Sequence, residues 1–207
     1  MIHIQPEVIG AFATGVLGPA IVVYLKHVLD NKKKKNEIKD PTCLISESIK
    51  CNLLINNKIS EILDTYGADR VWVNQFHNGG NFYPTGKSIH KFSMCYEAVS
   101  KGTTSIKEQF QNIPVSLFAR SMNHLLENDI IKLYDIKNEI ETFGLRAISS
   151  ESGTKSGYLF AIKSIDNKFI GVLGIDYTKR KRTLTEEDIN QLHIETTTIG
   201  GVLMKTT

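Results

Sequence analysis

At 207 residues and 41% hydrophobic content, the chain has material for one compact domain of ordinary size plus a short extra element, which excludes two full domains. Its formal charge of +3 is matched by the run Lys32, Lys33, Lys34 and Lys35 alone, leaving the rest near neutral, so nucleic-acid binding is not indicated. Cys43, Cys51 and Cys95 are widely spaced and lack a C-x-x-C or His/Cys ligand pattern; they read as reduced residues of a cytosol-facing domain, and no metal site is expected.

The first element is the uncharged stretch Val8 to Leu25. As a helix its 18 residues cover about 27 Å at roughly 1.5 Å per residue, close to one hydrocarbon core. A transmembrane helix over about 8–25 is therefore expected within an N-terminal segment 1–29. No Lys or Arg precedes it, which argues against a cleaved secretory signal. Lys26, then Lys32 to Lys35, follow it, and the positive-inside rule places the folded part in the cytoplasm, behind a single pass through a membrane. Gly10, Ala11, Thr14, Gly15 and Gly18 line one helix face with small residues, a packing surface for a homo-oligomer. A buried helix in a multi-chain assembly is the alternative.

After a Lys-rich linker, 30–42, the domain spans 43–207. Leu44, Ile45, Ile49, Leu53, Leu54, Ile59, Ile62 and Leu63 keep helical spacing up to Gly67, a helix stop. "DRVWVNQFHNGG" alternates Val71, Val73 and Gln75 against Trp72, Asn74 and Phe76 before an Asn-Gly turn, so a strand ends in a loop. "SIHKFSMCYEAV" alternates likewise and reads as a second strand. A helix is expected from Pro114 with Leu117, Phe118, Met122, Leu125 and Leu126 as its apolar stripe, followed by a short strand at 130–134. Two β-branched runs, Tyr158 to Ile165 and Phe169 to Tyr177, joined at "DNK", have a hairpin signature, with Gly171 and Gly174 marking a bulge or a close backbone approach. Thr185 three residues ahead of Asp188 opens a last helix with a capping box. The order implies an α+β fold on an antiparallel sheet with packed helices.

The stretch Tyr158 to Leu203, with "YLFAIK", "KFIGVLGIDY", "LTEEDINQL" and "IGGVL", resembles the last two strands and closing helix of GAF domains. That resemblance implies a central antiparallel sheet, helices on one face, a frequent pocket on the other, and roles in small-molecule sensing, dimerisation or scaffolding without catalysis. "FHNGG" at Phe76 to Gly80 and "FSMCYEAV" at Phe92 to Val99 resemble membrane-anchored GAF- or PAS-like proteins of tailed bacteriophages or prophages.

His77, Asn78, Gly79 and Gly80 are candidates for a ligand-binding loop: two versatile hydrogen-bonding side chains beside two glycines that let backbone amides approach an anion. A turn with His77 and Asn78 bonded to backbone is the alternative. Tyr96 and Glu97 on the second strand join them as ligand-binding candidates, since Glu97 in an otherwise apolar run could face a pocket. "SSESGTKSG" reads as a flexible loop without a Gly-x-Ser-x-Gly elbow, and the basic loop Thr178 to Thr183 as a headgroup contact if the domain sits close to a membrane. The expectation is a non-enzymatic, membrane-anchored, self-associating sensing or scaffold protein with a possible protein partner or small-molecule ligand and no cofactor. A holin-like phage lysis protein and a virion or assembly structural subunit are the alternatives.

Overall fold

The hairpin expected around "DNK" lies at the centre of the fold. In the computed structural model, residues 24, 26, 41–137 and 152–206 are described. The chain divides into two compact units, Met1–Ile45 and Ser46–Thr207. The expected membrane span, its small-residue face Gly10, Ala11, Thr14, Gly15 and Gly18, and the Lys32–Lys35 flank lie outside the described residues. Among the described residues no helix is long and apolar enough to cross a membrane.

Helix α1 (Pro41–Thr65) leads into strand β1 (Arg70–Asn81), which turns into β2 (Ser88–Val99). A 3-10 turn (Lys107–Gln109), the two-residue β3 (Ile113–Pro114), a second 3-10 turn (Val115–Phe118) and helix α2 (Ala119–Asn128) follow. Then come β4 (Ile130–Leu133), β5 (Ser156–Lys163), β6 (Phe169–Tyr177), helix α3 (Glu186–Leu203) and a closing 3-10 turn. The six strands form one sheet in the order β3-β2-β1-β6-β5-β4, and each neighbouring pair is antiparallel. This is the antiparallel α+β architecture expected from the element order.

One face of the sheet is covered by α1 and α3. Period-two alternation puts Val71, Val73, Tyr158, Phe160, Ile162, Leu173, Ile175 and Tyr177 there, against Ile55, Ile59, Ile62, Ile189, Leu192 and Ile199. The Thr185 side chain accepts from the Asp188 amide and the Asp188 carboxylate from the Thr185 amide, so the expected capping box starts α3. Two tyrosines fasten both helices to the sheet: Tyr177 donates to the Tyr66 carbonyl at 3.1 Å, and Tyr158 accepts from the Leu184 amide at 2.8 Å.

The predicted apolar stripes hold in part. In α1, Ile59 and Ile62 are buried, whereas Leu44, Ile45, Ile49, Leu53 and Leu54 are exposed; Cys51, Ile55, Ile59 and Ile62 form the buried face at helical spacing, and Leu53 and Leu54 point away from it. The helix expected from Pro114 begins instead as a 3-10 turn, and the change of winding leaves Leu117 and Leu126 outside while Phe118 and Leu125 are buried.

Candidate functional site

The second face of the sheet, beneath α2, carries the polar chemistry. β1 projects Arg70, Trp72, Asn74 and Phe76 onto it, one every second residue. Around them pack Phe92, Met94, Ile106, Phe110, Phe118, Leu125, Leu159, Ala161 and Val172. An Arg and an Asn in a row of core positions need partners, and the two differ in whether they have them.

Arg70 is fully buried and fully engaged. Its Nε donates to Asp176 Oδ2 at 2.8 Å, and Nη1 reaches the Thr104 carbonyl at 3.0 Å. Nη2 donates to the Ser152 carbonyl at 3.2 Å and to Thr154 Oγ1 at 3.0 Å. The indole of Trp72 donates to the same Asp176 oxygen at 3.1 Å. Burial pushes the Asp176 carboxyl up, against the pull of the Arg70 guanidinium and the Trp72 indole. The described part of "SSESGTKSG" is thus no loose loop: Ser152, Thr154 and Ser156 are buried, because the guanidinium fork requires acceptors from that stretch. Gly174, read as a bulge or a close approach, is the latter. A Cβ there would lie 2.1 Å from the Trp72 ring, which covers the glycine.

Asn74 is the exception. It is 4% exposed, yet its Oδ1 has no hydrogen-bond partner among the described residues. Its backbone runs close to β6, where a Cβ on Gly171 would meet the Asn74 carbonyl at 2.2 Å. Met94 on β2 and Val172 on β6 sit opposite it in register, so its amide oxygen is held in an apolar surrounding with no donor supplied.

The residues singled out from the sequence do not converge. A register shift between Val73 and Asn74 leaves Cys95 unpaired in β2 and reverses the expected alternation beyond it. Tyr96 and Ala98 therefore pack on the α1 side, where the Tyr96 hydroxyl bonds the Asn52 amide oxygen. Glu97 faces the other way, and its carboxylate accepts from the Ile106 amide at 2.9 Å, the Lys107 amide at 3.3 Å and the Ser105 hydroxyl. It pins the loop that delivers Ile106 to the second face.

His77, Asn78, Gly79 and Gly80 lie farther along β1, in the arm it forms with β2. His77 Nε2 is 3.0 Å from Ser93 Oγ, and Asn78 Oδ1 accepts from the Gly80 amide at 3.0 Å. Gly80 needs its glycine, with φ at 95°, while the aliphatic stem of Lys91 crosses over Gly79. The Asn78 contact to backbone is of the kind the turn alternative gives, whereas His77 Nε2 meets a side-chain hydroxyl. Among the described residues no group of three or more His, Cys, Asp or Glu side chains could hold a metal ion. On the helical side, Thr65, Tyr66, Glu187, Asp188, Asn190, Gln191 and Ile194 line a groove of about 500 Å³. Asn74, Arg70 and Asp176 escaped sequence reasoning as a site; a charge opening one strand and another near the end of its antiparallel neighbour was the available signal.

No family model matches the chain, and no curated protein matches it. Solved structures do. A far-red cyanobacteriochrome photoreceptor is similar at 15% identity, with a TM-score of 0.60 over 85% of this chain and 98% of that one. GAF3 from Slr1393 of Synechocystis sp. PCC6803 is similar at 15% identity, TM-score 0.58, over 74% and 92% of the two chains. The GAF domain region of a protein from Geobacter sulfurreducens PCA is similar at 11% identity, TM-score 0.57, over 77% and 97%. The fold is GAF-like.

Proposed function

We propose that the chain is a non-catalytic sensing domain of GAF type, held at a membrane by its N-terminal apolar segment, self-associating, and of phage or prophage origin. The observation that carries the sensing part is the buried, unpartnered Asn74 acceptor on the sheet face beneath α2. An unmet buried polar group costs about 1–3 kcal/mol, and a group kept at such a cost is accounted for by a partner that arrives later. The partner that fits is a small, mostly apolar molecule presenting one N–H or O–H to Asn74. Phe92, Met94 and Phe118 are each 3% exposed or less, so entry requires the α2 side to shift.

One similar structure is a phycoerythrobilin-bound GAF domain from a cyanobacterial phytochrome. A covalently held chromophore would need a nucleophilic thiol on that face. Cys43, Cys51 and Cys95 are not among the apolar residues packed there, and burial pushes the Cys95 thiol up. The reading is therefore of a non-covalent ligand. Self-association is supported by the uncovered Ile49, Leu53 and Leu54 of α1, and the cytoplasmic, single-pass arrangement by the uncharged Val8–Leu25 stretch with its lysine flank.

The test is a thermal-shift screen of small molecules on the full chain in detergent, repeated on Asn74→Leu. Ligands that raise the melting temperature of the parent and leave Asn74→Leu unmoved are expected. Ligands that raise both equally would overturn the assignment of Asn74.

A further inference from the structure

The β1–β2 arm reaches well past the rest of the sheet. β1 keeps β6 as a partner only as far as Gln75 opposite Gly171, while its pairing with β2 continues to Asn81 opposite Ser88. β3 accompanies β2 as far as Lys91, opposite His77, so Asn78 to Asn81 overhang the sheet by about 13 Å at roughly 3.3 Å per residue. The tip is closed by backbone bonds from the Phe82 amide to the Lys87 carbonyl and from the Gly86 amide to the Phe82 carbonyl, both 2.8 Å. It nevertheless holds Phe82 53% and Tyr83 97% exposed. An ordered tip that presents two aromatic rings to solvent is a contact surface awaiting an occupant.

The surroundings select the occupant. The β5–β6 turn lies at the same end of the sheet, because Lys163 pairs with Phe169 there and Ser156 with Tyr177 at the other. It exposes Ile165 at 93%. Lys87, Lys91 and Lys168 belong to the arm and this turn, where Asp166, the one carboxylate of those two loops, lies 4.0 Å from Lys168. At the opposite end lies the basic loop Thr178 to Thr183, in which Lys179 is neutralised by Asp69 at 3.1 Å and Lys181 by Asp135, beside Arg180 and Arg182. α1 has its Tyr66 end at Tyr177 and its Asn52 beside Tyr96, so traced backwards it climbs towards the arm. The uncharged Val8–Leu25 stretch precedes this helix in sequence.

Aromatic rings beside lysines, in a chain that carries an uncharged apolar stretch, match the headgroup layer of an anionic bilayer: rings settle among the glycerol groups and ammonium groups among the phosphates. We infer that the tip of the β1–β2 arm, Phe82 and Tyr83 with Lys87, rests in the headgroup layer of an anionic membrane, with Ile165 and Lys168 as a second, shallower contact. The inference builds on the membrane-anchored reading of the N-terminal segment and adds an orientation: the arm faces the lipid and the Thr178–Thr183 loop faces away.

The experiment uses the full chain carrying Tyr83→Trp, reconstituted into vesicles of phosphatidylcholine and phosphatidylglycerol with bromine near the glycerol end of the acyl chains. Trp72, buried in the domain, gives a constant background measured on the parent chain. Contact predicts a loss of about twofold or more in the added emission, relative to bromine-free vesicles, and a weaker loss when Lys87→Glu is introduced. A chain that floats with the vesicles but shows unquenched Tyr83→Trp emission overturns the inference and leaves the anchored reading standing. Burial of the new indole that rises with protein concentration in detergent alone assigns the tip to a second copy and also overturns it. A chain that fails to float overturns the anchored reading, and the inference with it.

Discussion

The two faces of the sheet are built from the same strands and by the same alternation, yet they differ in chemistry. The face beneath α1 and α3 is an apolar layer in which the hydroxyls of Tyr96, Tyr158, Tyr177 and Thr196 are all hydrogen-bonded. The face beneath α2 contains a buried ion pair, an indole bonded to it, and an amide oxygen with no partner among the described residues. The first face is what packing requires. The second contains more polar chemistry than packing requires, and that excess marks where function is to be sought.

Breaking the ion pair is the strongest way to test the contrast. Arg70→Ala leaves the Asp176 carboxylate buried and unpaired and frees the acceptors of Thr104, Ser152 and Thr154; a loss of about 3–5 kcal/mol is expected in equilibrium denaturation. A truncation such as Ile189→Val beneath α3 removes one buried methylene and is expected to cost about 0.5–1.5 kcal/mol. If the two losses were alike, the contrast between the faces would disappear.

Gly174→Ala probes the same face sterically. Its new Cβ would meet the Trp72 ring at 2.1 Å, a conflict the flat ring resolves only by leaving Asp176, and a loss of about 2–3 kcal/mol is expected. Trp72 is the chain's sole tryptophan, so its near-ultraviolet circular dichroism reports that displacement directly.

The end of the sheet farthest from the arm gives a pH signature. Burial alone would raise the Asp69 carboxyl, but the Lys179 and Thr178 amides and the Lys179 ammonium outweigh it and hold it below its ordinary 3.8. A depressed folded-state value stabilises the fold fully above the unfolded value and ceases to do so as pH falls through the folded one. Unfolding measured between pH 7 and pH 2 is expected to lose this contribution below about pH 4, and Asp69→Asn to lose about 1.5–2 kcal/mol at pH 7 with a flatter acid limb.

Much of this architecture was legible from residue patterns, and the exceptions have physical causes. Tyr158 to Leu203 shows period-two strands, a turn and a capping box, each a local signal, and the hairpin and α3 lie where those signals put them. β2 read as an unbroken alternation, yet a single bulge at Cys95 sends Tyr96 and Glu97 to faces opposite to those the pattern implies, since one extra residue inverts everything beyond it. α1 showed an apolar stripe broader than the face the sheet covers, so Leu53 and Leu54 point outward beside buried Cys51 and Ile55, something that only tertiary placement reveals. The Arg70–Asp176 pair is separated by a hundred residues of chain, so no local spacing could announce it. Asn74 shared a side with Trp72 and Phe76 in the alternation, and its burial depends on α2 closing the second face.

The most direct test of the central claim is the change in unfolding free energy on Asn74→Leu, measured by urea denaturation of the ligand-free full chain. Replacing an unmet buried amide with an apolar side chain of similar shape is expected to stabilise the fold by about 1 kcal/mol. A destabilisation of that size or more would show that the Asn74 amide already has its partner within the fold and would contradict its assignment to a ligand.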